Sequence, residues 1–200
     1  MYFTKLFNYL FHPVFMPFTG TIAYFVTSPA YIPEEARKSI IIPVLILTLI
    51  VPVLLYFLFR NLGWIRSAEL SDIEDRKIPL YAAIPIIFII SIRITPEPPS
   101  EALHYYFTGI LGTLLCCLVL VILKIRASIH MMGITGLSTF VLGLSLHYHL
   151  NMTSLLAALI IFSGIVASSG LHQNTHNNRE ILLGMALGII PQTVVFPFWL

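Results

Sequence analysis

Hydrophobic residues in this chain gather into long runs separated by short clusters of charge, proline and glycine, and nowhere alternate with polar residues. A bilayer-spanning helix needs about 20 mostly apolar residues, and in hydrocarbon every backbone N–H and C=O must be paired within the protein. The runs therefore predict helices, since a barrel would show a period of two along each strand. Read from their boundaries, they give seven segments. The first, 14–27, is short and carries Pro17 and Gly20, the pattern of a re-entrant or tilted piece. The others are 39–59, 78–94, 106–123, 132–147, 152–170 and 181–200. The expected fold is all-α: a polytopic transmembrane helical bundle with six to seven membrane segments. No repeat, low-complexity tract or linker divides it, so 1–200 reads as a single integral-membrane domain.

Composition strengthens this reading and excludes others. With 58% hydrophobic residues against 10% charged, a water-facing surface cannot be built. A net charge of +2 without a basic cluster gives no reason for a nucleic-acid partner. Cys116 and Cys117 are adjacent, which suits neither a normal disulfide nor a metal site, and read as buried packing residues. Lys5 is a lone charge and no small-residue cleavage site follows a short apolar core, so the N-terminus is expected to be retained. His12, His104, Trp64 and the Tyr105–Tyr106 pair read as interfacial residues. Gly184 and Gly188, with Ala186 between them, read as a surface for close helix packing.

Each span carries the chain to the opposite side, so counting crossings sorts the polar residues. The loop 60–77 and the junctions 124–131 and 170–180 fall on one face, joined by the N-terminus if the first segment crosses. That face holds Lys5, Arg60, Arg66, Arg76, Lys77, Lys124, Arg126 and Arg179, eight of the eleven basic residues; Arg37, Lys38 and Arg93 lie opposite. Basic residues kept to bind an anion inflate such a count, so it does not fix the orientation.

Three clusters on this face can carry chemistry, over 72–79, 124–133 and 168–180. In the first, Asp72-Ile-Glu74-Asp75-Arg76-Lys77, the two cations can donate to a phosphate at the membrane surface; a solvated juxtamembrane loop is the plainer reading. In the second, Lys124-Ile-Arg126-Ala-Ser128-Ile-His130, Ser128 can cap a helix whose first amides bind an anion, with His130 near enough to donate a proton. The third runs from Ser168 through His172, Asn174 and His176 to Arg179 and Glu180. On a helix, His176 and Glu180 stand four apart; Glu180 can hold one ring nitrogen and leave the other to attack. The spacing of His172, His176 and Glu180 also admits a divalent metal along one helical face, as a minor alternative.

These residues resemble the type 2 phosphatidic acid phosphatase superfamily, in particular its small bacterial integral-membrane members. That family's third motif is Ser-Arg, five residues, His, three residues, Asp; here Ser169-Gly170 is followed by five residues, His176, three residues and Glu180. Its second motif, Pro-Ser-Gly-His, corresponds to Ala127-Ser128-Ile129-His130, with Arg126 matching a basic residue of the small relatives. Its first motif is loosely echoed by Arg76-Lys77-Ile78-Pro79, and the opening His12-Pro13 and Pro17 also look like those relatives. The resemblance implies phosphoric monoester hydrolysis of a lipid phosphate through a phosphohistidine, with no cofactor or metal, in a bacterial cytoplasmic membrane. It implies His176 as nucleophile, Glu180 as its orienting partner and His130 as the acid for the leaving alcohol. Arg126, Ser128 and Arg76 would cradle the phosphate, with Lys77 and Arg179 as further cations. Gly170 stands where the family has a phosphate-clamping arginine, which motivates an alternative: a catalytically silent relative that binds lipid phosphates or serves as a scaffold.

Overall fold

The computed structural model describes residues 12–29, 31–65, 73–95, 100–173 and 175–200; Lys5, Arg66, Asp72 and Asn174 of the polar clusters lie outside them. The described residues are 82% helical and contain no strand. A short apolar piece comes first, a 3-10 turn (Pro13–Phe15) leading into α1 (Met16–Thr27). Six helices long and apolar enough to cross a membrane follow: α2 (Glu34–Asn61), α3 (Glu74–Ile94), α4 (Glu101–Ile122), α5 (Ile129–His147), α6 (Thr153–His172) and α7 (Asn178–Val194), the last extended by a 3-10 turn at Phe196–Phe198. This is an all-α polytopic bundle of membrane-spanning helices.

Several helices start earlier than their apolar runs. α2 opens on Glu34 and Glu35 and α4 on Glu101, acidic residues that favour the positive end of a helix. Hydropathy marks the stretch inside hydrocarbon, whereas the helix continues into the polar layer. Three spans contain an interior proline, Pro43 in α2, Pro85 in α3 and Pro191 in α7, and the first two are each followed by a wide π turn, at Ile46–Ile50 and Ile90–Ile94. Proline removes a donor from the ladder and leaves the carbonyl four residues before it without its helical partner; in the wide turns that follow, the amides of Val51 and Thr95 bond the carbonyls of Ile46 and Ile90, five residues back.

α5 is the centre of the bundle, with 61% of its apolar window buried against 17–33% for the other five spans. Glycine brings α7 against it. A Cβ on Gly188 would come within 2.5 Å of the Met132 carbonyl, and one on Gly184 within 2.5 Å of the Ser128 carbonyl, so the backbones approach as small-residue packing requires. Polar ties cross the interior where hydrocarbon offers no other partner. Thr113 donates to the Leu187 carbonyl at 2.9 Å, and Gln192 donates to that of Tyr106 at 3.0 Å. Tyr106 itself departs from the interfacial reading. It is 1% exposed, donates to the Met16 carbonyl at 2.8 Å and stacks on Phe140 at 4.1 Å, because the early start of α4 carries it a turn inside. Of the two cysteines, Cys117 is buried and Cys116 is exposed, so only one is a packing residue.

The ends of the helices sort as the crossings require. The Pro13 turn lies against Gly133 near the start of α5, since a Cβ there would meet Pro13 at 3.3 Å. The start of α1 and the start of α5 therefore share one end of the bundle.

Candidate active site

At that end, the first turn of α7 organises the strongest polar cluster. Asn177 is the N-cap, with extended backbone, and its side chain accepts from the Glu180 amide at 2.9 Å. Its amide nitrogen approaches Glu180 Oε1 at 3.4 Å. Capping turns the Glu180 side chain back over the helix start, where Oε2 meets His176 Nδ1 at 2.7 Å. The pair forms, though not along a helical face: His176 precedes the cap, so the contact folds around the N-terminus of α7. Glu180 is 9% exposed. With Nδ1–H donated to this carboxylate, the His176 lone pair is on Nε2, the tautomer a nucleophile requires.

The backbone of α5 is tied to the same turn. Ser128, the N-cap of α5, donates its amide to the Glu180 carbonyl at 2.9 Å, while its hydroxyl oxygen accepts from the Met131 amide at 3.5 Å. Arg126 lies just before it. Its Nε is 3.9 Å from Glu180 Oε1, is buried, and makes no hydrogen bond among the described residues. Arg76 is 3% exposed and donates through Nη1 to the Ala127 carbonyl at 2.7 Å, within electrostatic reach of Arg126 and Glu180. The structure thus brings His176, Glu180, Arg126, Ser128 and Arg76 together.

His130, the second residue of α5, is half-buried and sets its ring against that of His12, centroids 5.5 Å apart and planes at 86°. His12 is therefore not simply interfacial. Its Nδ1 accepts from the Val14 amide at 3.4 Å to cap the Pro13 turn, and burial lowers its pKa from the ordinary 6.5. Two further cations were expected here. Lys77 is engaged by Glu74 at 2.6 Å, and Arg179, in the first turn of α7, is exposed.

Gly170 closes α6 from below. Its carbonyl accepts from the amides of Thr175 at 3.1 Å and His176 at 3.3 Å, and a Cβ added to it would sit 3.4 Å from His176 Cδ2. The chain turns here, so α6 ends at His172 and the single helical face that would align His172, His176 and Glu180 is broken. Among the described residues no three His, Cys, Asp or Glu side chains are grouped to hold a metal ion.

Two residues of the cluster were assigned no part in it from the sequence. Asn177 was legible as an Asn-x-x-Glu capping pattern. His12 was noted in the His12-Pro13 opening and given no role there, although crossing parity puts the start of the chain at this end if the first segment crosses. No protein-family model, curated protein or solved structure matches this chain.

Proposed function

We propose that this membrane protein is a lipid-phosphate phosphatase acting through a phosphohistidine. The observation that carries the reading is the 2.7 Å contact of His176 Nδ1 with Glu180 Oε2, set against Arg126 on the carboxylate's other oxygen. His176 Nε2 attacks phosphorus as the bond to the leaving oxygen breaks, and His130 gives that oxygen its proton, releasing the alcohol. Water, deprotonated by His130, then displaces His176 and yields inorganic phosphate. Glu180 holds the imidazole in register and stabilises the charge that grows on it. Phosphoryl transfer asks mainly for positioning and for cations around the equatorial oxygens; Arg126, whose Nε makes no hydrogen bond among the described residues, and the first amides of α5 beside Ser128 suit that task. A lipid substrate in a bacterial cytoplasmic membrane fits a site at the ends of spans.

The test is release of inorganic phosphate from a panel of lipid phosphates by detergent-purified protein, with and without chelator. Chelator-resistant release that is lost in His176→Ala supports the mechanism; release at the wild-type rate in that variant overturns it. A second reading, a relative that binds lipid phosphate without turnover, is favoured by two observations. Gly170 offers no side chain beside His176, and Arg76 gives one of its donors to the Ala127 carbonyl.

A further inference from the structure

A cleft of about 720 Å³ opens between α2 and α3, lined by Leu49, Pro52, Val53, Ala82 and Ala83, with His12 at one end. Its shape follows from the backbone. The π turn at Ile46–Ile50 and Pro52 interrupt the regular α-helix along the α2 wall, while Ala82 and Ala83 present only small side chains from α3. The lining on α2 spans Leu49 to Phe59 and that on α3 spans Pro79 to Ile86. At 1.5 Å per residue these are roughly 10–15 Å of helix. A hydrocarbon core is about 30 Å thick, so the cleft reaches from the site end to about the bilayer midplane, the depth of one leaflet.

Water is a poor occupant of an apolar cavity flanked by membrane-spanning helices, and the volume is in the range of about 300–1,000 Å³ typical of small-molecule sites. The polar end is specific. His12 both lines the cleft and presses on the His130 ring. We infer that the cleft seats the hydrocarbon chain of a lipid from that leaflet, whose phosphate lies at His176, and that His12 couples chain occupancy to the position of His130. The inference rests on the phosphatase reading for its head-group half.

A chain packed against His12 fixes the ring that holds the acid, so remote binding is converted into turnover rather than into affinity alone. His12 is thus a positioning residue. Long-chain and four-carbon phosphate monoesters of the same head group separate the two effects. In wild type, kcat is expected to be roughly tenfold or more higher for the long chain. In His12→Ala the kcat ratio falls to about one while the KM difference persists; in Ala83→Trp, which fills the cleft, both differences shrink. Equal kcat for the two chains in wild type, or an unchanged ratio in His12→Ala, overturns the coupling.

Photolabelling of the wild-type protein by a lipid phosphate carrying a mid-chain diazirine decides the seat without any variant. Label concentrated in 49–59 and 79–86 supports it. Label spread evenly over the exposed faces of α6 and α7, or cross-links joining two copies through the cleft walls, overturns it. If wild type hydrolyses neither ester, the phosphatase reading fails, and the labelling alone then settles whether the cleft holds a chain.

Discussion

Arg76 and Ala127 lie 51 residues apart in sequence, and the guanidinium of one donates to the carbonyl of the other across 2.7 Å at the head of the bundle. The bond fixes the start of α3 to the residue before the N-cap of α5, so the cation that resembles a phosphate ligand is also a fastener. Arg76→Ala strands a buried carbonyl, and the cost should be about 2–3 kcal/mol, read from unfolding in mixed micelles. Arg76→Lys should recover only part of it, because an ammonium cannot reproduce the planar fork. A variant as stable as wild type would remove the fastening role.

Glu180 and Asn177 should separate chemistry from folding. Glu180→Gln keeps an acceptor near His176 but loses the charge, and kcat should fall about 10²- to 10⁴-fold. Asn177→Ala removes the cap of α7 at a cost of about 1 kcal/mol and frees the carboxylate it orients. Asn177→Ser should restore stability and most of the turnover. Phosphate release and thermal unfolding, measured on the same preparations, distinguish the two.

Acid should weaken the protein through His12. Burial lowers the folded pKa below 6.5, so between the two values the unfolded chain binds more protons and stability rises with pH. The contribution is complete above the unfolded value of 6.5 and is lost as pH falls through the window toward the folded one. His12→Phe, aromatic but without a titrating group, should flatten that part of the profile. An identical acid dependence in wild type and variant would assign it elsewhere.

Gly170 probes the difference between turnover and binding. There is room for a Cβ, 3.4 Å from His176 Cδ2, so Gly170→Arg should fold and place a guanidinium near His176, the proposed nucleophile. Loss of a single oxyanion donor costs about 10²- to 10³-fold in other enzymes. A gain approaching that size would mark the native chain as a weak or silent catalyst; no gain would mean that Arg126 already fills the role.

Gly188 tests the central packing. Its missing side chain lets α7 approach Met132 and Gly136, and Gly188→Val should cost about 1–3 kcal/mol through overpacking, more if the helices cannot move apart. Folded yield in detergent reports it.

Much of this architecture was legible in the sequence, for a physical reason. Hydrocarbon forces backbone pairing, so apolar runs become helices, and each crossing fixes the side on which a loop emerges. That logic alone carried Arg76, Ser128 and Glu180 to one end. Other features were not legible. His176 and Glu180 have the spacing of a helical face, but the pair forms around a cap, and only the conformation of Asn177 decides between the two. Tyr106 has the composition of an interfacial residue and lies in the core, because tertiary packing sets its depth. The cleft beside His12 lies where a π turn and Pro52 interrupt α2, and no residue pattern states how closely α2 and α3 then pack.

The enclosure of α5 bears on how the protein is made. It has the lowest mean hydropathy of the six spans, 1.5 against 1.8–2.9, as suits a helix whose neighbours are protein rather than lipid. Such a segment has the weakest hold on the bilayer by itself, and the glycines that receive it, Gly184 and Gly188, are synthesised some fifty residues later. Between those moments the nascent chain must shelter α5 against α1 and α4, so a lesion in α7 should surface first as a defect in biogenesis, with α5 recognised by quality-control proteases before any catalytic deficit can be measured.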